Sequence, residues 1–306
     1  MAGANRIHWP RRGSLQFWPR VRARKQVPRV RTWAKVKDTK LVGFIGFKAG
    51  MTHVLFRDNR STSHTKGMEV FTPVTIIECP PVKILGFRAY VKTPYGLKLS
   101  YDSSSKKFSS VPATADQVTV VAQTSPQLTR MGKKHMDTIE LGVGGANPLE
   151  TAKGMVGKDV KVSEVLKDGQ WLDVHAVTVG KGFQGTVKRF GVKIRHHKSE
   201  KTKRGIGTLG PWIPSNVSWR VPQPGKMGYH TRTEYNKLLM KIGSKPEDIN
   251  AKGGITHYGL IRNEYILVKG SVPGHVKREV VVTTAVRPVK KEFVPEITRV
   301  SVTSKQ

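Results

Sequence analysis

The chain has 306 residues, enough for roughly two globular units or one unit with long extensions. It carries 54 Lys or Arg against 21 Asp or Glu, a net charge of +33 with a pI near 10.5, so its compact state repels itself unless a polyanion neutralises it. One cysteine, Cys79, excludes a disulfide framework and any zinc finger or ribbon, and no apolar run approaches the ~18 residues of a membrane span.

In chain order, residues 1–40 hold 12 Lys or Arg and one acid, Asp38, with neither helical nor strand periodicity. Their Met1–Arg12 start lacks the apolar stretch of a secretory signal. They read as a basic arm without its own core, ordered on a partner. Leu41–Phe47 and Thr52–Phe56 are β-type runs that predict a hairpin around Lys48-Ala49-Gly50. Val70–Glu78 is a strand whose Pro73 places it at an edge or a bulge. Val82–Lys92 is another, closed by Thr93-Pro94-Tyr95-Gly96. Residues 97–150 read as an α+β insertion, with a polar loop at Ser103–Lys107 and a short helix over Pro126–His135, N-capped by Ser125. Further strands are predicted at Trp171–Val179, Ile255–Ile261, Tyr265–Lys269 and Glu279–Arg287, and a second helix at Thr231–Ile242, from the spacing of Tyr235, Leu238, Leu239 and Ile242. Short strands with Gly and Pro turns between them predict a small closed or split barrel. The organisation is then a basic arm (1–40), barrel strands (41–96), the insertion (97–150), more barrel (151–194), a basic finger loop with a short helix (195–250) and C-terminal barrel strands (251–306).

The charge is concentrated. Residues 181–241 hold 14 Lys or Arg and two acids, Glu200 and Glu234. Together with residues 1–40 they contain five of the six tryptophans: Trp9, Trp18, Trp33, Trp212 and Trp219. A solvated charged tail is poor in aromatics, whereas a segment lying on RNA uses cations for phosphates and flat rings for bases. The segment Arg195–Gly228 is long for a structureless stretch inside a compact domain, which marks it as functional or disordered. Within it, Gly210-Pro211-Trp212-Ile213-Pro214 reads either as a Trp buried in a small hydrophobic plug between two prolines or as a rigid tip that wedges into folded RNA; Lys203-Arg204 upstream, Trp219-Arg220 downstream and the lack of a surrounding apolar run speak for the tip.

Enzyme motifs fail their context tests. Gly180-Lys181-Gly182-Phe183-Gln184-Gly185 matches G-x-G-x-x-G after a strand. The β-branched, Gly191-broken stretch that follows, however, is not expected to open the helix a dinucleotide site requires. No kinase H-R-D or D-F-G follows, and no Gly-Lys pair is followed by the Ser or Thr of a phosphate-binding P-loop. The glycines are read as sharp turns, or as backbone that an RNA phosphate can approach. His196-His197 has no neighbouring cysteine and no H-E-x-x-H, so cationic contact is read in place of a metal site. Neither catalytic nor metal-ligating residues are assigned.

Several stretches resemble one family. Leu166, Asp173, Ala176, Thr178, Gly180-Lys181-Gly182, Gly185 and Arg189 fall at the spacing of the signature of the universal large-ribosomal-subunit protein L-three family. Gly46–Thr52, His257-Tyr258-Gly259, Val268–Gly274 and Arg11–Leu15 resemble it too, in order along the chain, and Arg11–Leu15 with Gly228–Thr233 is similar to the archaeal type. The resemblance implies a mainly β protein: a translation-factor-like β-barrel body carrying a long N-terminal arm and a long central basic finger loop. It implies a structural constituent of the cytoplasmic large subunit that binds rRNA and nucleates early assembly without catalysis. The finger, with Trp212 at its tip, would reach toward the peptidyl-transferase centre.

The rRNA contacts are expected at Arg11, Arg12, Arg20, Arg22, Arg24, Lys25, Arg29, Arg31, Lys48, Lys181, Lys188, Arg189, Arg195, His196, His197, Lys198, Lys203, Arg204, Trp212, Trp219, Arg220, Lys226, His230 and Arg232. Expected partners are 23S-type rRNA and neighbouring large-subunit proteins, with no membrane, no homo-oligomer and no cofactor beyond Mg or monovalent ions of the RNA.

Overall fold

A computed structural model describes residues 11–104, 115–199, 202–289 and 293–303. Trp9 and part of the Ser103–Lys107 loop lie outside the described residues. In chain order the elements are β1 Gly43–Arg57, β2 Glu69–Glu78, β3 Val82–Thr93, β4 Gly96–Asp102, β5 Gln117–Gln123, β6 Thr138–Gly142, α1 Pro148–Met155, β7 Asp159–Val160, α2 Val162–Val165, β8 Trp171–Val177, β9 Phe183–Gln184, α3 Thr186–Phe190, β10 Gly225–Lys226, β11 Thr231–Gly243, β12 Tyr265–Lys269, β13 Glu279–Thr284 and β14 Glu296–Val300. The fold is mainly β. The chain forms two compact units: residues 11–24 with Thr178–His230, and Lys25–Val177 with the part from Thr231 onward.

In the larger unit, β13 pairs with both β8 and β1, and the order β13-β8-β11-β12-β2-β1 returns to β13, so six antiparallel strands close into a ring, with β14 on the second half of β1. The second sheet, β4-β3-β5-β6 with β7 beside β3, incorporates most of the expected insertion. Strands of the ring bury both faces. Along β12, Ile266 and Val268 enter one hydrophobic cluster while Tyr265 and Leu267 enter the other, the alternation that a period of two imposes. Segment 25–40 docks here: Pro28 and Val30 are buried, and a Cβ on Gly142 would stand 2.6 Å from the Trp33 indole. The expectation of an arm with no intramolecular support therefore fails for these residues, because Val27, Val30 and Trp33 supply apolar surface that the body's core covers.

Four local expectations are corrected. Lys48-Ala49-Gly50 is a bulge, not a hairpin turn; β1 runs through it, pairing with β13 before and β14 after, with β2 alongside throughout. Residues 231–242 form a strand, not a helix, held between β8 and β12. Residues 255–261 form a turn, with Ile255 bridging Gly259, wrapped around the buried carboxylate of Glu78. That carboxylate accepts from the Tyr258 hydroxyl and the amides of Arg262 (2.9 Å) and Asn263 (3.0 Å). Burial and the adjacent Glu78 push the Tyr258 phenol far above its ordinary value. At Pro126 only a single 3-10 turn, Pro126–Leu128, forms, and Ser125 makes no side-chain cap. Pro73 does sit at an edge: β12 pairs with β2 only as far as Val74.

Candidate nucleic-acid interface

The smaller unit is built on a miniature ladder. Phe183 and Gln184 pair with Lys226 and Gly225, and the Lys181 and Met227 amides donate to the carbonyls of Met227 and Gly182, both at 2.9 Å. Among the described residues of the intervening stretch 185–224 there is one short helix, and the rest is irregular. That helix, α3, follows Gly185 directly, which corrects the expectation of none, and ends at Gly191 in the left-handed region (φ 68°). Five residues make barely more than one turn, far too little for a dinucleotide fold.

Phe190, at the end of α3, is the hub of the unit. Trp18 stacks on it at 6.0 Å between centroids, Trp219 meets Trp18 edge-on at 5.3 Å, and the Arg20 guanidinium lies 4.1 Å from the Phe190 centroid. Aromatic pairs of this kind contribute ~0.5–1.5 kcal/mol beyond their area, and cation–π contacts ~0.5–2 kcal/mol. Gly13 makes room: a Cβ there would lie 2.8 Å from Phe190, at φ +76°. The arm's first described residues are thereby fixed to the loop's base. Arg11 donates to the Arg220 carbonyl and Arg20 to the Arg189 carbonyl at 2.8 Å.

The expected contact residues divide by what they already do. His230 is buried; its Nδ1 donates to the Val21 carbonyl at 2.7 Å, which fixes the tautomer. Arg189 donates to the Gln223 and Lys226 carbonyls (2.8 and 3.2 Å), and its burial lowers its pKa. Lys48, half-buried in the larger unit, donates to the carbonyls of Val272 (2.6 Å) and Gly274 (3.1 Å); burial lowers its pKa against the opposing pull of Glu234. Arg232, half-buried there too, donates to the Thr231 carbonyl at 2.9 Å, and burial lowers its pKa. These groups hold the fold together first.

The outward set is different. Arg11, Arg12, Arg22, Arg24, Lys181, Lys188, Arg195, His196, His197, Lys198, Lys203, Arg204, Arg220 and Lys226 are exposed in the smaller unit, as are Lys25, Arg29 and Arg31 in the larger. Arg22 lies over Tyr229 (5.3 Å) and Arg220 over Trp219 (5.5 Å), presenting a cation beside a flat ring. The His196 and His197 rings lie 4.0 Å apart, and among the described residues no cluster of His, Cys, Asp or Glu could hold a metal. Residues 207–220 are exposed without interruption, with Trp212 at 92%, Ile213 at 82% and Trp219 at 61%. Trp219 rests partly on Trp18, but among the described residues nothing covers Trp212 or Ile213. An unburied indole costs solubility in a free protein and needs an outside surface to cover it.

The model of the family described as Ribosomal protein L3 matches residues 3–110 and 101–305. The chain belongs to the ribosomal protein L3 family. Its similarity to "Large ribosomal subunit protein uL3" is 44% identity for Methanobrevibacter smithii, covering 98% of this chain and 99% of that one. For Archaeoglobus fulgidus it is 46% over the same shares, and for Methanocaldococcus jannaschii 41% over 98% of each. These relatives are archaeal, in keeping with the type that Arg11–Leu15 and Gly228–Thr233 resemble. Members of the L3 family are structural components and not enzymes, so the G-x-G-x-x-G of this chain is a backbone feature and not a nucleotide fingerprint. No helix among the described residues is long and apolar enough to cross a membrane.

Sequence reasoning missed Phe190, Gly13 and Tyr229 as parts of the site, although an aromatic directly after Lys188-Arg189 and before Gly191 is a usable signal. It also missed His175, Tyr235 and Arg287, which line a cavity in the larger unit.

Proposed function

We propose that this L3-family chain is a structural constituent of the large ribosomal subunit. It binds large-subunit rRNA through the arm and the loop of the smaller unit, joins the particle early in assembly, and directs its exposed loop, Trp212 foremost, toward the peptidyl-transferase centre. One observation carries the reading: the uninterrupted exposure of residues 207–220, with Trp212 and Ile213 bare and a cationic surface in the same unit. A protein meant to stay free would bury that surface; a protein that lies along RNA presents it for stacking and wedging. Neighbouring subunit proteins are the other partners, and the setting is the cytoplasmic ribosome. The larger unit resembles translation-factor barrels in this reading.

The mechanism is electrostatic and entropic. Lys and Arg displace the counterions condensed on phosphates, so affinity depends steeply on salt. With roughly ten phosphates neutralised, raising KCl from about 50 to 200 mM weakens binding by about 10⁵. A filter-binding titration of the full chain on large-subunit rRNA reads this directly. An affinity almost flat across that range overturns the proposal, as does a chain that spreads over all RNA in a sucrose gradient instead of sedimenting one-to-one with large subunits.

A further inference from the structure

We propose that a cavity in the larger unit receives a single unpaired nucleotide of the bound RNA, its phosphate held by Arg29, Arg31 and Arg287 and its base stacked on Tyr235. This rests on the rRNA-binding reading and adds to it a defined pocket on the body, made by residues outside the arm-and-loop unit.

The cavity measures about 430 Å³, within the ~300–1,000 Å³ usual for small-ligand sites. Its walls come from the segment around Arg29–Thr32, from β8 and β11, and from the turn after β13. Three guanidinium groups share it. Among the described residues Arg29 and Arg31 donate no hydrogen bond and form no ion pair, and Arg287 rests 5.9 Å from the ring centroid of Tyr235. Such a set of like charges costs stability unless an anion sits among them.

The remaining wall residues leave the positive charge uncancelled. Asp173 is the one carboxylate, and it is buried with both oxygens in use: Oδ1 accepts from the Asn236 amide and Oδ2 from the Val286 amide, each at 3.0 Å. Those two bonds stabilise its charge and fix the two wall segments that carry Tyr235 and Arg287. His175 is held on both ring nitrogens, Nδ1 by the Thr233 hydroxyl (2.9 Å) and Nε2 by the Thr283 hydroxyl (3.2 Å). Its burial lowers its pKa more than the nearby Asp173 raises it, so it is neutral at pH 7 and adds rigidity without charge. Three cations therefore face one fully occupied anion.

Tyr235 supplies the second half of a nucleotide's chemistry. It lines the cavity yet is 58% exposed, and the Arg287 guanidinium lies over its ring, so an aromatic face and a cation are offered together. A free phosphate or an acidic peptide would use the arginines and leave the ring idle; a nucleotide uses both.

The experiment is filter binding of the full chain to large-subunit rRNA across a KCl series. It compares wild type with the triple variant Arg29→Gln/Arg31→Gln/Arg287→Gln, with Tyr235→Ala and with Tyr235→Phe. Because three arginines clamp one phosphate, the triple variant is expected to lose only about 0.7–0.9 of the salt slope. Tyr235→Ala is expected to weaken binding roughly five- to hundredfold at every salt concentration with the slope unchanged, and Tyr235→Phe to restore it. A slope loss of about two or more means separate phosphates on a diffuse basic face and overturns the pocket. So do variants that bind like wild type while wild type itself binds RNA, and that result leaves the general RNA reading intact. Wild type that binds no RNA removes the general reading itself. A calorimetric titration with adenosine monophosphate separates the sources: micromolar binding abolished by the triple variant, with RNA affinity unaltered, assigns the pocket to a free nucleotide and overturns the RNA assignment. Thermal unfolding of each variant shows that it remains folded.

Discussion

Gly228 and Gly185 lie in the same unit and answer to different constraints. Gly228 has φ +76°, and a Cβ there would stand 2.0 Å from the Val179 carbonyl oxygen, where the two chains converge. Left-handed backbone alone costs a non-glycine residue ~1–3 kcal/mol, and here backbone must also move. Gly228→Ala is therefore expected to destabilise the smaller unit by about 3 kcal/mol. Gly185 has φ −68°, and a Cβ there would meet nothing within 4 Å. Gly185→Ala should leave stability within ~0.5 kcal/mol. If the open backbone at the start of α3 is where a phosphate approaches, the same variant should weaken RNA binding several-fold. Urea unfolding with tryptophan fluorescence and filter binding on the two variants separate packing from contact; a Gly185→Ala chain with native affinity would remove the contact role. The same logic ranks the cations. Lys48, Arg189 and His230 are satisfied by carbonyls, so substituting them should disturb the fold before it disturbs binding, whereas the side chains of Lys203 and Arg204 donate to no carbonyl among the described residues.

The strand β11 shows how an element can hide in a sequence. Its alternation is broken by a bulge between Glu234 and Lys237, at which Asn236 takes φ 53° and gives its amide to Asp173. Asp173→Ala removes the buried carboxylate that accepts from the amides of Asn236 and Val286, two part-buried bonds to a charged acceptor, and should cost about 3–5 kcal/mol. Asn236→Gly should be neutral or slightly stabilising, because glycine accepts positive φ, and Asn236→Val should be clearly destabilising. Denaturant midpoints of the three variants check the order, and a silent Asp173→Ala would show that the bulge needs no anchor. That bulge is also why a helix was expected. It shifts the phase of the pattern, and Leu238, Leu239 and Met240 are all buried because both faces of β11 are covered, so Tyr235, Leu238, Leu239 and Ile242 fall at helical spacing by accident. β12, which pairs with β2 in one unbroken register, was legible at its bounds, and β3 was legible to within a residue because its apolar run is long, although bulges interrupt its pairing with β4 and β5. β4, β5 and β6 were not recognised as strands, because turn residues and a polar loop outweighed their short β-branched runs. For the proposed interface, the coincidence of charge and tryptophan in the sequence is what singles out the arm and the loop; the division between cations that hold the fold and cations that face outward depends on carbonyls distant in sequence, which no local pattern encodes.

Over the whole molecule, charge is partitioned by unit. Met1–Arg24 and Thr178–His230 contain 17 Lys or Arg and a single acid, Glu200. The larger unit uses many of its acids locally: Arg88 bridges Asp102 and Glu140, Lys133 bridges Asp137 and Glu279, and Asp58 accepts from the Arg60 guanidinium and from the Thr65 and Ser63 hydroxyls, which hold that carboxyl far below the usual range. The larger unit holds the other 37 Lys or Arg against 20 acids, so its excess is spread over a far longer stretch of chain, and the smaller unit is the more densely cationic and the more dependent on an outside anion. Stability and RNA affinity answer salt with opposite signs. In the RNA-free chain, added KCl shortens the Debye length from ~10 Å at 0.1 M toward ~3 Å at 1 M, screening repulsion within the cationic unit. Its melting temperature is expected to rise by a few degrees, the shift that ~1 kcal/mol produces in a unit of this size. Over the same series RNA affinity falls along the counterion-release slope. Differential scanning fluorimetry and filter binding on one set of samples test both. A melting temperature that falls with salt would mean that attractive ion pairs dominate the cationic unit as well, and the partner-dependent account of its charge would be lost.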